Sequence, residues 1–128
     1  MTSVANSATA EAAGDEMPGD ALRPLDLVHL SKYTLGNRAL ESELLGLFRT
    51  QADLYIVRMD AAESEKEWIE AAHSLKGSAS GLGAWQLAAL AAEAENLAHD
   101  RARHPAILER IRAAIGTVNL FIEEIMAA

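Results

Sequence analysis

The stretch Ala72–His73–Ser74–Leu75–Lys76–Gly77–Ser78–Ala79–Ser80–Gly81–Leu82–Gly83 decides how this chain is read. Placed on a helical wheel at about 100° per residue, it separates into two faces. Trp68, Ala72, Leu75, Ala79 and Leu82 gather on one side as a core stripe, while His73, Gly77 and Ser80 gather on the other, with Lys76 at their edge. The outward face is unusual because its residues beyond the histidine are small. A glycine inside a helix costs about 1 kcal/mol relative to alanine, so Gly77 needs a compensating reason. A smooth surface beside an imidazole supplies one: a second protein can press its own reactive group against His73, as in-line phosphoryl transfer between side chains requires. Lys76, one turn away, offers a mobile point charge for a phosphoryl group.

Outward from this segment, the helix that carries it begins near Ser64, an N-cap with Glu67 at capping-box spacing. It stops at Gly81–Leu82–Gly83. A following helix is predicted over Ala84 to Arg101, with Leu87, Leu90, Ala91, Ala94, Leu97 and Ala98 on one stripe, and Trp85 packing on the bundle end. With the turn at Gly83, His73 lies ten residues before it and Glu95 twelve after. At about 1.5 Å per residue the two are nearly level, roughly 15 and 18 Å from the turn. Glu95 therefore has two readings. It can accept the His73 Nδ1–H, fixing the tautomer and leaving Nε2 free to attack, or it can pair with His99 at i+4. Ile69 likewise reads as part of a docking patch with Ser80 or as a buried edge residue.

Pro105 opens a last helix with Ile107, Leu108, Ile111, Ile115, Val118, Ile122 and Ile125 on its apolar stripe. Upstream, a helix from about Asn37 to Ala61 is expected to bury Leu40, Leu44, Leu47, Phe48, Leu54, Tyr55 and Met59, with Gly46 as a candidate point of close packing. A short helix after Asp26 carries Leu27, Val28, Leu30 and Tyr33 and is broken by Gly36–Asn37. The fold class expected is all-α, an antiparallel four-helix bundle with a short additional N-terminal helix, spanning residues 23–128. Residues 1–22, rich in Ala, Ser, Thr and Gly without a periodic stripe, read as a flexible tail.

Composition narrows the function classes. The 128 residues suit one domain, and the absence of cysteine excludes disulfides and thiolate chemistry. A net charge of −8 repels phosphate backbones, so nucleic acid is a poor partner. No apolar run approaches a membrane span and no secretory signal follows Met1, which makes the cytoplasm the expected location and excludes a membrane partner. His29, His99 and His104 read as incidental, and no compact ligand signature supports a metal site.

The central segment resembles the histidine-containing phosphotransfer (HPt) domain of multistep phosphorelays, whose signature is similar to Ala-His-x-Leu-Lys-Gly-x-Ala/Ser-x-x-Leu-Gly. Ala72, His73, Leu75, Lys76, Gly77, Ala79, Leu82 and Gly83 match it, and the likeness extends over roughly Leu25 to Ala128. The resemblance implies that His73 is phosphorylated, that Lys76 and Gly77 belong to its site, and that Glu95 takes a position held by Gln in many relatives and by Glu in the chemotaxis kinase. It implies receiver domains of response regulators and of a hybrid histidine kinase as partners, with a monomer as the expected state. No cofactor is expected in this chain, the Mg²⁺ needed for transfer coming with the receiver. A histidine kinase fragment fits less well, since that family follows its histidine with an acidic residue and a proline, where this chain has Ser74 and no proline between His73 and Pro105. A helical adaptor that carries no phosphate is the alternative function; it would be indifferent to His73.

Overall fold

The computed structural model describes residues 23–127. The expected tail, residues 1–22, lies outside the described residues. Five α-helices follow: α1 Leu27–Thr34, α2 Arg38–Ala61, α3 Glu65–Leu82, α4 Trp85–Asn96 and α5 His104–Ala127, with a 3₁₀ turn at Arg101–Arg103 before the last. Helices α2 to α5 form a closed ring of neighbours, and α1 caps one end against α2 and α3. This is the antiparallel bundle with a short extra helix that the apolar periodicity predicts.

Helices α1, α2 and α3 start where a side chain provides an oxygen for their free amides. Asp26 Oδ1 accepts from the His29 amide at 3.0 Å, Asn37 Oδ1 from Leu40 at 3.0 Å, and Ser64 Oγ from Glu67 at 3.1 Å. Glu67 Oε1 accepts in return from the Glu63 amide at 2.8 Å, one residue ahead of the usual capping-box donor.

The core runs through Phe48, Met59, Trp68, Leu75, Leu87, Ile107, Ile111 and Ile122. Burying each such side chain contributes roughly 1.5–3 kcal/mol against the entropy of ordering it. Within α2 the expected stripe is only partly correct. Leu45, Phe48, Ala52, Ile56 and Met59 are buried, whereas Leu40, Leu47 and Leu54 are exposed. The helix carries two overlapping apolar stripes, and the ring geometry admits only one of them. Gly46 is no point of close packing, since a Cβ there would meet nothing within 4 Å.

Helix α4 is shorter than expected, ending at Asn96 rather than near Arg101. Side chains of other helices take its last carbonyls. The Trp68 indole N–H donates to Ala94 O at 2.7 Å, and His104 Nε2 lies 2.8 Å from Leu97 O. His104 also stacks on Trp68, with ring centroids 3.5 Å apart and planes within 6°. A histidine that reads as incidental thus seals the joint between α3, α4 and α5.

The α3–α4 turn is held to the start of α1. Gly83 adopts φ +79°, and a Cβ there would stand 2.9 Å from Asp26 O. The Asp26 amide donates to Gly83 O at 2.8 Å, and the Trp85 indole donates to Asp26 Oδ2 at 2.9 Å. Burial alone would raise the Asp26 carboxyl; the bonds from Trp85 and His29 outweigh it and hold the group below its ordinary 3.8. This places Trp85 on the bundle end, as expected.

Candidate functional site

His73 lies in the middle of α3 on the face turned away from the core, between Ala72 and Leu75, both fully buried. Two buried neighbours anchor the backbone while the imidazole stands in solvent, with a side-chain exposure of 67%. The alternation of core and surface residues within this one turn gives a rigid base and a free ring.

Of the two readings of Glu95, the structure selects contact with His73. Helix α4 packs beside α3, and Glu95 Oε2 lies 3.3 Å from His73 Nδ1. Its other oxygen, Oε1, is an ion-pair distance of 3.0 Å from the Lys76 ammonium. The carboxylate is only 20% exposed, against 36% for Lys76. One half-buried carboxylate thus orients both a ring nitrogen and a cation. The bond with Lys76 holds the Glu95 carboxyl below its ordinary 4.5; burial opposes this, and His73 adds to it. An ionised Glu95 favours the tautomer protonated at Nδ1, so that the Nε2 lone pair faces solvent.

Gly77 follows one turn after His73 on the exposed face, and a Cβ there would meet nothing within 4 Å. No packing among the described residues demands that glycine. Ser80 is half-buried farther along the same face. Ile69, one turn before His73, is 39% exposed and lines a recess of about 820 Å³ together with His73, Ser74, Glu70, Glu95 and Arg58. A second groove, between α3 and the α1–α2 side, is lined by Tyr33, Leu47, Gly77, Ser78 and Gly81.

The residues singled out in the sequence therefore share one surface, with Ser80 at its far end. The exposed Tyr33, Leu47 and Leu54, and Arg58 beside Ser74, were not among them. Counting through the α2–α3 link, as for Glu95, sets Arg58 level with Trp68 rather than His73, so its place in the recess depends on the length and lean of its side chain. The exposure of Leu47 and Leu54 has no such signal, because their spacing is equally that of a core stripe.

Among the described residues no helix is long and apolar enough to cross a membrane, and no group of three His, Asp or Glu side chains is arranged to hold a metal ion.

Residues 43–126 match the family described as Hpt domain. A search of curated proteins returns no match. Among solved structures, the chain is similar to histidine-containing phosphotransfer protein B (HptB) from Pseudomonas aeruginosa PAO1. The likeness has a TM-score of 0.74 and 24% identity, and covers 80% of this chain and 94% of that one. The family match spans well over half of the sequence and contains His73, Lys76, Gly77 and Glu95, and the fold agrees with it: the chain belongs to the Hpt domain family, the histidine phosphotransfer modules of phosphorelays.

Proposed function

We propose that this protein accepts a phosphoryl group on His73 Nε2 from the aspartyl phosphate of a receiver domain and passes it to the aspartate of another. The observation that carries this reading is a solvent-exposed imidazole whose Nδ1 lies 3.3 Å from a half-buried carboxylate, on a helix face left bare by Gly77.

In the forward step the Nε2 lone pair forms the N–P bond while the acyl O–P bond breaks, and that electron pair leaves on the partner's aspartate carboxylate. The ring keeps its proton on Nδ1 and becomes formally cationic. Glu95, ionised and adjacent, stabilises that charge and keeps the ring from turning. Lys76 supplies positive charge at the edge of the site, worth on the order of 1 kcal/mol at its degree of exposure. The Mg²⁺ that transfer requires is assigned to the receiver domain. Gly77 and Ser80 keep the approach clear, while Ile69, Leu47 and Tyr33 offer apolar area on either side for docking. A hybrid kinase's receiver and a response regulator's receiver fit the same face in turn. One chain contains every group that this chemistry uses from the helical partner, which favours action as a monomer.

Incubation with a phosphorylated receiver domain tests the assignment. Wild type is expected to take up acid-labile, base-stable phosphate, and His73→Gln to take up none. Equal labelling of the variant would falsify it and favour an adaptor that carries no phosphate.

A further inference from the structure

We infer that Arg58, on the neighbouring helix α2, is the cation that holds the phosphoryl group once it is on His73. The inference rests on His73 Nε2 as the acceptor.

The geometry of the imidazole separates its two nitrogens. Nδ1 is turned to Glu95 and hence to α4. Nε2, on the opposite edge of the ring, is directed away from α4, and a phosphoryl group bonded there is carried away from Glu95. Lys76 is held on the Glu95 side, with its ammonium 3.0 Å from Oε1. To meet the phosphoryl group it must leave that partner. Arg58, from α2, lines the same recess as His73, with Ser74 and Glu70.

Arg58 is exposed and forms no ion pair among the described residues, unlike Arg49, Arg103, Arg110 and Arg112. Side chains on a helix lean toward its N-terminus. Because α2 runs antiparallel to α3, that lean carries Arg58 from about the level of Trp68 toward Glu70, Ser74 and His73, with which it lines the recess. Glu67 and Glu70 line the same recess, and both repel an added dianion. A free guanidinium in the same recess offsets that repulsion, and its planar fork suits two phosphoryl oxygens at once. Before phosphorylation Arg58 shares the recess with Glu67 and Glu70 without an ion pair to either, so its guanidinium is available to a phosphoryl group.

The test uses the full chain, phosphorylated through a receiver and then separated from it, so that docking does not enter. Phosphorus NMR follows the second ionisation of the phosphoryl group in wild type, Arg58→Ala, Arg58→Lys and Lys66→Ala. Lys66 is an equal charge on α3 outside the recess. Removing an exposed cation contact is expected to raise the phosphoryl proton affinity about two- to fivefold in Arg58→Ala. Arg58→Lys should restore most of it, Lys66→Ala should leave it unchanged, and the thermal midpoint should be unaltered in all three. A titration in Arg58→Ala that overlays wild type, or that Lys66→Ala reproduces, overturns the role of Arg58 while leaving His73 as acceptor. Labelling that survives His73→Gln removes the acceptor itself, and this inference with it.

Discussion

Replacing Gly77 by alanine should move stability and function in opposite directions. The residue lies in the interior of α3, where glycine costs about 1 kcal/mol relative to alanine through the freedom it has in the unfolded chain. The added Cβ would meet nothing within 4 Å, so no clash offsets that gain. For a domain of this size, a gain of about 1 kcal/mol raises the thermal midpoint by about 4–8 °C. The same methyl group projects from the surface against which a receiver must close. Overfilling a well-packed contact costs about 1–3 kcal/mol. At about 1.4 kcal/mol per decade, this predicts a roughly fivefold to hundredfold loss in the kcat/KM of phosphoryl transfer. Thermal melts followed by circular dichroism and single-turnover transfer from a phosphorylated receiver measure the two quantities separately. A variant that melts higher yet transfers at the wild-type rate would refute the reasoning, because the glycine would then have no function to offset its cost.

Gly83→Ala should behave in the opposite way to Gly77→Ala. A left-handed φ of +79° with Asp26 O 2.9 Å from the new Cβ combines backbone strain of about 1–2 kcal/mol with about 1 kcal/mol from loosening the Asp26–Gly83 hydrogen bond. A fall in the thermal midpoint of about 10–20 °C is expected, and a fall of only a degree or two would mean that the turn does not bear on α1 as described. Acid should weaken the fold through Asp26 and Glu95, both lowered from ordinary values of 3.8 and 4.5. A depressed carboxyl contributes stability that is fully present above its unfolded pKa and is lost as pH falls through its folded one. Urea unfolding should therefore show declining stability below about pH 4.5, with a shallower decline in Asp26→Asn. An equally steep decline in that variant would argue against the Trp85–Asp26 contact.

Much of the candidate site is legible in the sequence because a helix is a regular ruler. His73, Gly77 and Ser80 fall on one face by spacing alone, and Glu95 falls level with His73 by counting through the Gly83 turn. Contact between Glu95 and His73 is a matter of how α4 lies on α3, and spacing leaves it open; the packing brings Oε2 to Nδ1 rather than pairing the carboxylate with His99. The exposed stripe of α2 illustrates the limit. Leu40, Leu47 and Leu54 repeat with the same period as buried leucines, and periodicity records a face without saying what lies opposite it.

The end of α4 shows the same division. Its apolar pattern continues through Leu97 and Ala98, so propensity extends the helix. Only tertiary structure brings the Trp68 indole to Ala94 O and His104 to Leu97 O, capping carbonyls that would otherwise call for another turn. By itself, the sequence determined the helices, the capping residues and the reactive face, since these depend on neighbours within about four positions. Which apolar stripe is buried, where α4 stops, and which charged groups meet around His73 depend on residues far apart in the chain. Those were decided only when four helices closed around one core and left Tyr33, Leu47, Arg58 and Ile69 at its edge.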